Sequence, residues 1–129
     1  MENLSEELSE ISSDSDSQSA RGLNLEEIVY LTNKVGMEYV AAKKLAERLE
    51  LMKATERAKA MDRYDDGKTS ETKIRRQAET DEEYIEFIES LAKAKSDSEK
   101  LKIRYESYKN LFEARRSMLS YQKAEMRLL

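Results

Sequence analysis

From Thr80 to Leu129 the chain repeats itself every seven residues, and a chain that does this has few folds open to it. With position a at Tyr84, Leu91, Ser98, Tyr105, Phe112, Leu119 and Met126, position d falls at Phe87, Ala94, Leu101, Tyr108, Arg115, Gln122 and Leu129. Six of the seven a residues and five of the seven d residues are apolar or aromatic, so the stripe holds for the length of the segment. A seven-residue period belongs to helices that wind along other helices. A strand needs alternation by two, which is absent. The expectation is an all-α fold.

Composition agrees. Hydrophobic and charged residues are each 39% of the 129 residues, which suits long helices with a narrow apolar seam better than a globule with a wide core. There is no proline to interrupt a helix, and the three glycines are Gly22, Gly36 and Gly67. Cysteine and histidine are both absent. Without them there are no disulfides, no thiolate nucleophile, no Cys/His zinc site and no histidine general base, and a reducing, cytoplasmic setting is expected. No apolar run approaches the roughly 20 residues of a membrane span, and the acidic N-terminus does not read as a signal peptide.

Residues 1–22 read as a disordered, acidic, serine-rich tail, and residues 23–129 as the helical, oligomerising and nucleic-acid-binding domain. The first 20 residues carry six acids and no base, with too little apolar surface to offset the cost of ordering. Leu4, Leu8 and Ile11 nevertheless fall at helical spacing, which would let one short amphipathic turn dock on a partner. Asp14-Ser15-Asp16-Ser17 opens like a calcium loop, but Gln18 and Ser19 stand where the next ligand and the glycine belong.

Asn24 with Glu27 three residues on forms a capping box, and Leu23 and Ile28 hold the staple positions. The helix begun there is predicted to run to about Tyr64, with Ile28, Val35, Ala42 and Leu49 seven apart; at 1.5 Å per residue it is about 60 Å long. Asp65-Asp66-Gly67-Lys68-Thr69-Ser70 is the clear break, with Gly67 suited to a left-handed conformation. A short polar helix over 71–79 follows. Thr80 with Glu83 reads as a second capping box opening the long helix, which is either separate from the short piece or continuous with it. Two long helices about a short break predict a long, coiled-coil-like antiparallel hairpin. Its seam, Tyr84, Phe87, Leu91, Leu101, Tyr105, Tyr108, Phe112 and Leu119, carries more aromatic surface than one partner helix covers, so homo-oligomerisation is predicted.

The charge is unevenly spread behind the net value of −4. Residues 43–76 hold 11 bases and 7 acids, residues 79–99 hold 8 acids and 2 bases, and residues 100–127 hold 8 bases and 3 acids, so two basic regions flank an acidic one. The first surrounds the break: Lys53, Arg57, Lys59, Arg63, Lys68, Lys73, Arg75 and Arg76, with Tyr64 among them. Repeated around an oligomer, these cations form a track for the phosphates of single-stranded nucleic acid, with an aromatic ring for stacking. The competing reading is an ordinary solvated surface, because Glu56, Asp62, Asp65 and Asp66 are interleaved. The second set, Arg104, Lys109, Arg115, Arg116, Lys123 and Arg127, is interleaved with Tyr105, Tyr108 and Tyr121, of which Tyr105 and Tyr108 are seam residues.

Other motifs are poorer. Gly67-Lys68-Thr69 resembles the end of a phosphate-binding loop, but Asp62 stands at the required first glycine and a helix precedes it where a strand is needed. Glu79, Glu82, Glu83 and Glu86 share one helix face, as a divalent-cation site or, more simply, as a solvated acidic first turn. No cofactor or metal is implied, no nucleophile–base pair is evident, and the chain reads as a non-enzyme.

The order of these segments resembles the UvsY-type phage recombination mediators. A long first helix runs into a basic stretch ending in aromatic, polar and glycine residues, here Lys59-Ala60-Met61-Asp62-Arg63-Tyr64-Asp65-Asp66-Gly67. A basic connection follows at 73–77, then the acid-rich opening Thr80-Asp81-Glu82-Glu83-Tyr84-Ile85 of a long last helix containing Tyr105-Glu106-Ser107-Tyr108-Lys109. The likeness spans residues 24–129. It implies a helical, ring-like homo-oligomer that binds single-stranded DNA and loads a recombinase where a single-strand-binding protein had been, in the cytoplasm of a phage host. It also implies DNA contact at the basic end of the first helix, through Lys59 and through Arg63, the family's next basic position falling at Met61. The last helix has Arg116-Ser117-Met118 where the family often has an Arg-Gly-Phe-like step. The alternative from the residues alone is a coiled-coil adaptor or inhibitor that binds only protein, its bases paired with the interleaved acids.

Overall fold

The computed structural model describes residues 22–128 and is all-helical: α1 spans Leu25–Tyr64, α2 spans Glu71–Glu79 and α3 spans Glu82–Leu128. The expected tail, with Leu4, Leu8, Ile11 and the Asp14–Ser17 segment, lies outside the described residues apart from Gly22, as does Leu129. No described helix is long and apolar enough to cross a membrane. The described chain falls into two compact units, one made of residues 22–33 and 107–128 and the other of residues 34–106.

In the first unit the start of α1 is capped as its sequence demands. The Asn24 side-chain oxygen accepts a hydrogen bond from the Glu27 amide at 2.8 Å, satisfying one of the amides a helix start leaves open. Ile28 is fully buried, and Thr32 Oγ1 donates back to the Ile28 carbonyl at 2.6 Å. On α3, Tyr108, Leu111, Phe112 and Arg115 are half-buried, and every residue from Arg116 to Leu128 is exposed. The seven-residue pattern therefore continues through Leu119 and Met126 without being covered.

The second unit holds most of the core. Val35, Ala46 and Ala60 of α1, Ile74 and Ala78 of α2, and Tyr84, Leu91, Ala94 and Leu101 of α3 are buried. On α3 the buried residues stand at the a and d positions, while Phe87, Ser98 and Tyr105 are half-buried. Each helix gives one side chain to a central cluster of Ala60, Ala78 and Tyr84, against which Met61 and Ile88 pack. Further along, a Cβ placed on Gly36 would lie 3.0 Å from the Tyr105 ring, and that ring stacks on Tyr39 with centroids 6.2 Å apart. Glycine at position 36 is thus what allows the ring its close approach to the α1 backbone.

The breaks follow local chemistry. After Tyr64 the Asp65 carboxylate accepts from the Gly67 amide at 3.0 Å, and Asp66 accepts from the amides of Lys68 and Thr69 at 2.8 and 2.7 Å. Gly67 adopts φ 77°, in the left-handed region that favours glycine. Ser70 then caps α2 through its hydroxyl and the Lys73 amide.

The long helix is separate from the short one, and its cap differs from expectation. Thr80 closes α2, its hydroxyl turned back to the carbonyls of Arg76 and Gln77 at 3.3 and 3.1 Å. Asp81 opens α3 instead, its carboxylate accepting from the Tyr84 amide at 3.0 Å. Asp81 wins because the same carboxylate also meets side chains from the end of α1, which the Thr80 hydroxyl does not.

Candidate nucleic-acid interface

The basic residues around the break all belong to the second unit, and two helices and a loop position them. Lys53, Arg57, Lys59 and Arg63 project from the last part of α1, Lys68 from the loop, and Lys73, Arg75 and Arg76 from α2. All eight are exposed, and Tyr64 is half-buried.

Exposure hides three populations. Arg57 pairs with Glu79 at 3.3 Å, Lys59 with Glu56 at 3.5 Å and Arg75 with Glu71 at 3.2 Å. These are solvated pairs, and such pairs are held weakly enough for a phosphate to compete. Arg63 is bound more firmly: its guanidinium spans the Asp81 carboxylate through two nitrogens and reaches Glu83 at 3.1 Å. Tyr64 donates its hydroxyl to the same carboxylate at 2.8 Å. The ammonium and guanidinium groups of Lys53, Lys68, Lys73 and Arg76 make no ion pair within 4.0 Å among the described residues.

Electrostatics mark Asp81 as the centre of this joint. The Arg63 guanidinium, helped by the Tyr64 hydroxyl and the Tyr84 amide, holds its carboxyl down at about 2, against the desolvation that would raise it. The reciprocal effect raises Arg63. Donation to Asp81 and partial desolvation also raise the Tyr64 phenol, since ionising it would place two negative charges together. Arg63 and Tyr64 are therefore engaged in joining α1 to α3, a role their place in a basic run did not announce. A signal was present in Asp81, an acid at a helix start with Arg63 and Tyr64 18 and 17 residues upstream, but nothing local pairs them.

Beside this joint lies an open groove of about 380 Å³ lined by Glu50, Lys53, Ala54, Arg57, Ala58, Met61 and Tyr84. Its floor is apolar and its rim carries two cations and one acid. Glu50 is committed to Lys95 at 2.8 Å, which lowers its carboxyl, so the rim faces outward with a positive balance.

The remaining motifs are accounted for locally. Gly67-Lys68-Thr69 lies between two helices, and the Lys68 and Thr69 amides that would cradle a phosphate are occupied by Asp66, whose carboxyl they lower. Glu79 and Glu83 reach Arg57 and Arg63, and no group of three acids, cysteines or histidines able to hold a metal ion occurs among the described residues. Of the seam residues, Tyr84, Leu91 and Leu101 are buried, Phe87, Tyr105, Tyr108 and Phe112 half-buried, and Leu119 exposed.

Compared with known proteins, the chain matches no family model, no curated protein and no solved structure.

Proposed function

We propose that the chain is a non-enzymatic accessory protein of DNA recombination that assembles with copies of itself, binds single-stranded DNA and helps to load a recombinase in the cytoplasm. The observation that carries this reading is the set of exposed cations around the α1–α2 break, where Lys53, Lys68, Lys73 and Arg76 make no ion pair within 4.0 Å among the described residues. Phosphates bind such groups by releasing counterions, without needing a pocket. The recombinase and the displaced single-strand-binding protein come from the resemblance to UvsY-type mediators alone.

The reading includes an antiparallel hairpin. Within residues 34–106, positions rising along α1 (Gly36, Glu50, Arg63) meet positions falling along α3 (Tyr105, Lys95, Asp81), the order that such a hairpin produces. It also includes self-assembly, supported by apolar side chains left in water: Met37 is 76% exposed and Leu51 83%.

Fluorescence anisotropy of a labelled single-stranded oligonucleotide tests the reading. Salt-sensitive binding that is lost when Lys59, Lys68 and Lys73 become Glu is expected. Absence of binding by the oligomer at low salt overturns it.

A second reading, a coiled-coil adaptor or inhibitor that binds only protein, is favoured by one observation: Arg57, Lys59, Arg63 and Arg75 already face acids of their own chain. Native mass spectrometry with and without a short oligonucleotide separates the two readings, because only the first gains oligonucleotide mass.

A further inference from the structure

The end of α3 combines two properties that a solvated helix end does not need. Leu119 is 50% exposed and Met126 76%, although both continue the seam that is buried at Leu91 and Leu101. Around them the charge is one-sided, since residues 107–128 hold five bases against two acids. Arg116 and Lys123 each stand three residues before a seam residue, so charge and apolar stripe share one side of the helix. An uncovered apolar stripe with charge of one sign beside it is an interaction surface.

The chain carries the complement to this surface. Its first 20 residues hold six acids and no base, and Leu4, Leu8 and Ile11 are spaced by four and three, as a narrow a/d stripe is. Reach is not limiting. Twenty-one residues precede Gly22. At ~3.3 Å per residue they extend ~70 Å, against ~33 Å for the axis of a 22-residue helical segment. The residues they lead into, 22–33, share a compact unit with 107–128. A tethered segment of this length meets its target at an effective concentration on the order of millimolar.

We propose that the N-terminal segment, residues 1–21, docks on the C-terminal part of α3 of its own chain. Leu4, Leu8 and Ile11 cover the stripe of Leu119 and Met126, and the acids of the segment face Arg116, Lys123 and Arg127. This inference does not rest on nucleic-acid binding and stands or falls separately from it.

The absence of cysteine makes the test clean, because Ser9→Cys gives the full-length chain one site for a nitroxide label. The expected result is at least twofold loss of amide signal intensity over residues 107–128, unchanged by tenfold dilution. Residues 43–63 should keep their intensity. The loss should be largely relieved in Leu8→Ser/Ile11→Ser and, independently, in Leu119→Ser/Met126→Ser, whose changes on α3 lie at exposed positions. Three results overturn the proposal: no loss over 107–128, the same loss in both double variants, or the same loss when labelled chains at natural isotopic abundance are mixed with unlabelled isotope-enriched ones. The last places the segment on a second copy. If oligonucleotide binding fails while the broadening is seen, the proposed function falls and this contact stands.

Discussion

Tyr105 lies against Gly36 so closely that a single added carbon at position 36 would meet its ring at 3.0 Å. Two effects then oppose each other in Gly36→Ala. Alanine favours the helix by ~0.5–1 kcal/mol, while overpacking costs ~1–3 kcal/mol.

We expect crowding to win, so that Gly36→Ala lowers stability by about 1 kcal/mol in urea unfolding. In a Tyr105→Ala background the same change should raise stability by ~0.5–1 kcal/mol, because only the helix preference remains. Stabilisation in both backgrounds would show that the ring yields without cost.

Asp81 accepts from the Tyr84 amide, Tyr64 and Arg63 at once, and its substitutions should separate these duties. Asn keeps an oxygen for the amide but loses the charge; Ala loses both. The expected order of melting temperature is wild type, then Asp81→Asn, then Asp81→Ala. Equal melting of all three would deny the joint a part in stability.

The pH dependence follows from the same carboxylate. Its value in the folded chain, about 2, is below the ordinary 3.8, so the unfolded chain binds the proton more readily. Its contribution is present above about pH 4 and fades as pH falls from there towards 2. Circular dichroism in that range should show Arg63→Gln losing helix at higher pH than wild type. The Tyr64 phenol works in the opposite direction: raised above 10.0, it contributes fully below that value and loses its contribution as alkali ionises it. In absorbance at the phenolate band, the titration step of Tyr64, identified by its loss in Tyr64→Phe, should move to lower pH in Asp81→Asn.

For the DNA reading, each phosphate-contacting lysine should reduce the salt dependence of binding by about one counterion when removed. Lys68→Ala and Lys73→Ala should each flatten that slope and weaken all sequences alike, with melting temperature unchanged. Arg63→Ala should also lower the melting temperature, because its partner is the Asp81 carboxylate.

The apolar side chains left in water on α1 give a prediction for assembly. Met37→Ser with Leu51→Ser should shift sedimentation towards the single chain while the helical circular dichroism signal stays constant. An unchanged sedimentation coefficient would place the contact between copies elsewhere.

The sequence made the helices readable because period and caps are local properties. Tyr84, Leu91 and Leu101 are buried where the seven-residue repeat puts them, Asn24 caps as its spacing with Glu27 suggests, and Gly67 takes the left-handed conformation expected of it. What local signals could not decide was anything set by a distant partner. Thr80 and Asp81 are both good caps, and the choice falls to residues on another helix. Arg63 and Tyr64 look like any cation and ring in a basic run until Asp81 is brought to them. A repeat also states which residues share a face without stating whether that face is covered, so Leu119 and Leu101 are alike in sequence and opposite in burial.

A helix advances 100° with every residue, so clamping its first turn sets the bearing of all that follow. The Asp81 carboxylate, held by Arg63 and Tyr64, acts as the angular origin for α3: it aims Tyr84 inward, and Leu91, Ala94 and Leu101 inherit that heading. A rotation of one residue at this origin would swing the polar flank into the seam as far along as Leu101, which makes a single hydrophilic side chain the reference for an oily stripe.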